Sequence, residues 1–173
     1  MYREWASRAV GGAVGWESVS AGAGPVRVLP DGCVDLLWSS RHGLLVAGPD
    51  RTAHLSTSVP GERWVGLRLP PGTGPAVLGV PAHELRDLRV PLADLWGPAA
   101  AAPAERIGDG RVADVLESLA RDRLRAVGGA DPLGARVTAR LAAGAPVGPC
   151  PARPGVPPGG GRSRAFCLPG ARS

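Results

Sequence analysis

Cys33 stands between two carboxylates, Asp31 and Asp35, in the run PDGCVDLLW. A thiol there could act as a nucleophile only with a histidine within hydrogen-bond reach and a setting that lowers its pKa. His42, His54 and His83 are scattered along the chain, and no spacing ties any of them to Cys33. Cys33 therefore reads as a small, half-buried strand residue. No HExxH run is present to hold a metal. The glycine-bearing stretch GTGPAVLG lacks the Lys-Ser/Thr end of a phosphate loop. The expectation is a protein that is not an enzyme, with no catalytic residue, no metal and no cofactor.

Ligand binding offers better candidates. In CVDLLW, Asp35 alternates with Cys33 and Leu37, opposite Val34, Leu36 and Trp38. A carboxylate turned into a sheet interior is costly unless it is paired. Arg68, in the strand-like RWVGLRL, could be that partner or could meet an anionic ligand. Trp38 and Trp64 complete the candidate set, as tryptophans that line a pocket or pack a core.

The elements that must hold these residues are short. VRVLP, CVDLLW, LLVAG, AHLSTSV and RWVGLRL read as strands, separated by Gly/Pro/Asp turns. CVDLLW and LLVAG, joined by SSRHG, form a plausible hairpin. Strands of this length and spacing predict an antiparallel barrel or sandwich. GPAVLGVPAHELRDL marks the switch to helix, with Pro81 at an N1-like position, so the fold class is α+β. PAAAAPAE (98–105) is a linker by composition.

RVADVLESLARDRLRAV is the clearest helix, with Asp109 as N-cap and Gly128-Gly129 as stop. Val112, Val115, Leu116, Leu119, Leu124 and Val127 form its apolar stripe. That stripe must be buried against the chain's own strands or against a second copy. The second option makes Val112, Leu116 and Leu119 dimerisation candidates. DPLGARVTARLAAG starts another helix with Asp131 as N-cap and Pro132 at N1. The resulting division is a β-rich domain over 1–97, a linker over 98–105, a helical extension over 106–147 and a tail over 148–173. The tail has 6 Gly and 6 Pro in 26 residues and predicts disorder.

Charge narrows the partners. The net charge is +5, but residues 1–147 hold 16 arginines against all 15 acids, a net of +1. The remaining basicity lies in the tail, so the body lacks the electrostatic footprint of a DNA-binding surface. The first residues, MYREWASRAVGG, lack the apolar core of a signal peptide, and no run reaches a membrane span. Three widely spaced cysteines suit a reducing cytoplasm.

VLPDGCVDLLW, then LLVAGPDRTAHL, then WVGLRLPPGTGPAVLGVPAHELRDLRVPLADLWG resemble the N-terminal sensing domain of AraC-type bacterial transcriptional regulators. The resemblance covers residues 25–97 and continues more weakly through RVADVLESLARDRL and DPLGARVTARLAAG. It implies a cupin-like β-barrel that senses a small-molecule effector or mediates homodimer contacts. It also implies a helical linker and a C-terminal unit with two helix-turn-helix motifs. Cupin-like domains often hold metals through an H-x-H pair, which is absent here. The helix-turn-helix pattern is lost after Val147, so the expectation is a sensing part truncated before its DNA-reading unit. DNA would be a partner only if an intact unit exists elsewhere. The alternative is a stand-alone small-molecule-binding or protein-interaction module with no role on DNA.

Overall fold

The structure, a computed structural model, describes residues 1–107 and 111–145 and the short pairs 148–149 and 166–167. Two units divide at Asp131. The first holds eight strands: β1 (Tyr2–Ala6), β2 (Val14–Val19), β3 (Gly24–Val28), β4 (Val34–Ser39), β5 (Gly43–Ala47), β6 (His54–Ser58), β7 (Arg63–Leu69) and β8 (Arg89–Pro91). It also holds helices α1 (Gly74–Leu78), α2 (Leu92–Trp96), α3 (Ala101–Ile107) and α4 (Val112–Ala126). Six strands form one antiparallel sheet in the order β1-β2-β7-β4-β5-β8, and β3 pairs with β6 as a separate antiparallel ribbon. The fold is sheet-rich α+β, with β4 and β5 forming the expected hairpin.

Strand alternation gives the six-stranded sheet two unlike faces. Val34, Leu36, Leu44, Val46, Val65, Leu67 and Leu69 lie on one face and are nearly sealed from solvent. They pack with Val77 and Leu78 of α1, Leu92 of α2, Ile107 of α3 and Val112, Val115, Leu116 and Ala120 of α4. Burying this apolar surface, at about 25 cal/mol per Å², is the main force holding the unit together.

Polar contacts fix how α4 docks. Arg123 donates from Nε to the Val77 carbonyl at 3.0 Å, and its guanidinium lies 5.0 Å from the Trp96 ring centroid. Trp96 donates Nε1–H to the Leu78 carbonyl, also at 3.0 Å. Both acceptors sit at the C-terminal end of α1, where carbonyls lack helical partners and a positive charge is favourable.

These contacts correct two expectations. Val112 and Leu116 are 2% and 0% exposed, and Leu119 packs partly buried against the same core. Val112 and Leu116 are therefore covered by the chain's own core, whereas Val127 at the end of the stripe is 56% exposed. The expected linker over 98–105 is instead a 3₁₀ turn (Gly97–Ala100) running into α3, with Ala100, Pro103 and Ile107 buried. Alanines that look like spacer by composition are good helix formers once a core covers them.

The expected helix around GPAVLGVPAHEL is interrupted as well. Gly79, with φ +81°, ends α1, and Pro81 precedes a separate 3₁₀ turn at Ala82–Leu85. Asp109, the expected N-cap of α4, lies outside the described residues.

In the second unit, α5 (Pro132–Ala142) begins at the expected proline. Gly148–Pro149 pairs antiparallel with Phe166–Cys167, as β9 and β10. The expectation of a disordered tail otherwise falls outside the described residues. No described helix is long and apolar enough to cross a membrane.

Candidate functional site

The face of the six-stranded sheet opposite the helices carries polar and aromatic side chains. Asp35 on β4 stands directly across from Arg68 on β7, and Arg68 stands across from Val14 on β2. Arg68 Nε lies 3.6 Å from Asp35 Oδ1 and 3.1 Å from Asp31 Oδ2, and Arg68 Nη1 lies 3.7 Å from Glu4 Oε1. One guanidinium thus faces three carboxylates drawn from β1, β4 and the turn before β4. Despite these short distances, the buried Nε has no hydrogen-bond partner among the described residues. The attraction at Nε is therefore Coulombic.

Trp16 on β2 closes the cluster. It donates Nε1–H to Asp35 Oδ1 at 3.0 Å. Its indole lies flat against Gly66, the residue paired with it on β7: a Cβ built there would fall 2.3–2.5 Å from three ring atoms. Only glycine leaves room for the ring. Tyr2, whose ring centroid is 6.2 Å from that of Trp16, donates its hydroxyl hydrogen to Glu4 Oε1. On the other face Trp5 lies against Gly15 in the same manner, so β1 and β2 are seated by two tryptophan–glycine fits.

The electrostatics follow from partial burial. Loss of water pushes the Asp35 carboxyl above its usual range, against the opposing pull of the Trp16 N–H and the Arg68 charge. Burial and then the Asp31 and Asp35 charges push the Cys33 thiol up to about 11. Asp31 also holds the turn, accepting the Cys33 backbone N–H at 2.9 Å. The site can offer carboxylate acceptors, one guanidinium and an aromatic edge; its thiol is no ready nucleophile.

The four ligand candidates separate. Asp35 and Arg68 meet. Trp64 shares their face but lies four residues from Arg68 along β7, about 13 Å at strand rise. Its ring centroid is 6.2 Å from that of His42. There, Ser39 donates its hydroxyl to the buried Glu62 at 2.8 Å, with His42 Nε2 3.8 Å from the same oxygen. Trp38 is on the opposite, helix-covered face, with the Arg63 guanidinium 5.8 Å from its ring centroid. It is removed from the site.

Glu4, Tyr2 and Trp16 were not anticipated. Among the described residues no group of three or more His, Cys, Asp or Glu side chains could hold a metal ion. Two open clefts, of about 830 and 470 Å³, flank α4 on the other side, beside Arg121 and Arg125 and beside Trp5 and Arg111 respectively. Neither includes Asp35 or Arg68.

Residues 13–91 match the model of a domain of unknown function, DUF6597. The match spans β2 to β8 and so includes Trp16, Asp31, Asp35, Gly66 and Arg68, but not Tyr2 or Glu4. No curated protein and no solved structure matches the chain.

Proposed function

We propose that the first unit is the effector-sensing part of an AraC-type transcriptional regulator, and that the cluster around Arg68 is where a small molecule is read. The observation that carries this reading is the assembly of Glu4, Asp31, Asp35, Trp16 and Arg68 on the sheet face opposite the helices. Partly desolvated charges and a constrained aromatic cost stability when they only hold a fold together. They are well suited to orienting a polar ligand. The block from VLPDGCVDLLW to LADLWG, which the resemblance rests on, contributes Asp31, Asp35 and Arg68. The site is read as one of binding rather than turnover: Cys33 is held as the thiol, and the Ser39 hydroxyl is turned to Glu62 rather than to a histidine.

A thermal-shift screen of small polar metabolites on the full chain tests this. At least one compound should raise the melting temperature, and Asp35→Ala and Arg68→Met should each abolish that rise. A shift that persists in both variants would remove the cluster from the account. The nearly neutral body favours a second reading, a small-molecule-binding module with no DNA role. Translating the gene from Asp131 onward in all three frames separates the two, since a helix-turn-helix pair in another frame supports the regulator and its lack in every frame supports the stand-alone module.

A further inference from the structure

We infer that the larger cleft beside α4 is a separate binding site for a small phosphate monoester, whose phosphate is held by Arg8, Arg121 and Arg125. The inference stands independently of the sensing proposal, because this cleft shares no residue with the cluster around Arg68. Its volume of about 830 Å³ is that of an ordinary small-molecule site.

The two walls of the cleft come from distant parts of the first unit. One is a single face of α4, on which Asp114, Glu117, Arg121 and Arg125 recur at helical spacing. The other is the turn between β1 and β2, which supplies Arg8 and Ala9. That turn is anchored. The Ser7 hydroxyl accepts the backbone N–H groups of Ala9 and Val10 at 3.2 and 3.1 Å, and Val10 and Ala13 are buried in the core. Arg8 is therefore presented by a fixed backbone.

Three guanidiniums line one cleft with little to neutralise them. Arg121 pairs with Asp122 at 3.0 Å, but among the described residues Arg8 and Arg125 have no ion-pair partner. The C-terminal end of a helix favours Arg121 and Arg125. It gives no reason for a third arginine brought from another element, and like charges four residues apart repel. The acids of the cleft do little to relieve this. Asp114 is seven residues from Arg121, about 10 Å at helical rise. Glu117 accepts the Trp5 Nε1–H at 3.4 Å. The N–H groups of Gly128 and Gly129 are spent on the Arg125 and Leu124 carbonyls, so an anion must be held by side chains. A phosphate monoester is nearly dianionic at neutral pH and offers three acceptor oxygens, which suits three guanidiniums better than a lone carboxylate does. Leu124 and Ala9 give the rest of the ligand an apolar surface.

Nuclear magnetic resonance on the ¹⁵N-labelled full chain tests this, with inorganic phosphate as the probe at pH 7.5 and fixed ionic strength. The amides of Ala9, Gly128 and Gly129 should shift along a saturating curve, and acetate should bind roughly tenfold more weakly. Arg8→Gln and Arg125→Gln should each weaken phosphate about tenfold, as expected for the loss of one charge-assisted hydrogen bond. Arg27→Gln, an exposed arginine on β3, should leave the curve unchanged. Arg8 and Arg125 are exposed, so both variants should keep the wild-type circular dichroism spectrum. Shifts that do not saturate, acetate binding equal to phosphate, or saturation that survives both substitutions overturns the inference.

Discussion

Gly66→Ala is the most informative single change to the site, because its effect should pass through Trp16. Gly66 lies within β7, where alanine alone would relieve a conformational cost of about 0.5–1 kcal/mol. Opposing this, the new Cβ would stand 2.3–2.5 Å from three atoms of the Trp16 indole. The ring cannot swing away freely, since its Nε1–H is bonded to Asp35 at 3.0 Å. Overpacking of this kind costs about 1–3 kcal/mol. Losing a hydrogen bond to a charged acceptor costs about 1.5–3 kcal/mol more. The sum, less the alanine gain, is a loss of about 2–5 kcal/mol in urea unfolding.

The decisive assay is a double-mutant cycle with Trp16→Leu. If the cost arises from the ring, Gly66→Ala should be nearly neutral once the ring is gone, giving a large coupling energy. An equal cost of Gly66→Ala in both backgrounds would refute the reasoning.

Three further outcomes are expected. Leu116→Ala should destabilise the chain by about 2–5 kcal/mol in urea, since it empties a fully buried position, and should leave the molar mass by light scattering unchanged. The Cys33 thiol, pushed up to about 11, should alkylate slowly at pH 8 and accelerate steadily toward pH 10; an inflection near 8.5 would contradict the described burial. Asp35 titrates above its unfolded value, so its ionisation costs stability at neutral pH, and that cost is withdrawn as pH falls through the folded value. Asp35→Asn should therefore be more stable than wild type near pH 7, with the advantage fading in acid, as read from thermal melts over pH; an advantage independent of pH would show that the charge is not its source.

How far the molecule was legible in its sequence differs between residues for physical reasons. Alternation in CVDLLW correctly places Asp35 on the face opposite Leu36. The same alternation already set Trp38 on the apolar side, against its inclusion among the ligand candidates. The pairing of Asp35 with Arg68 was a guess of chemistry, because the register between strands some thirty residues apart depends on the whole sheet.

β1 and β2 escaped notice because GWES is a poor strand by local preference. Its stability comes from tertiary fits, Trp5 on Gly15 and Trp16 on Gly66, which no window of sequence contains. With them went Tyr2, Glu4 and Trp16. The α4 stripe is buried except at Val127, but a stripe does not say what covers it. Arg123, reaching the end of α1, supplies the answer that only the structure holds.

If the polar sheet face around Arg68 reads a small molecule, as proposed, Trp16 must feel its arrival. The most direct test follows the indole N–H signals of the ¹⁵N-labelled chain during titration with the compound that most raises its melting temperature. Substitutions at Trp16 and Trp38 assign those two peaks. The Trp16 signal should move, because its donor sits on Asp35 inside the site, while the Trp38 signal on the opposite face stays in place. A Trp38 shift with Trp16 unmoved would contradict it.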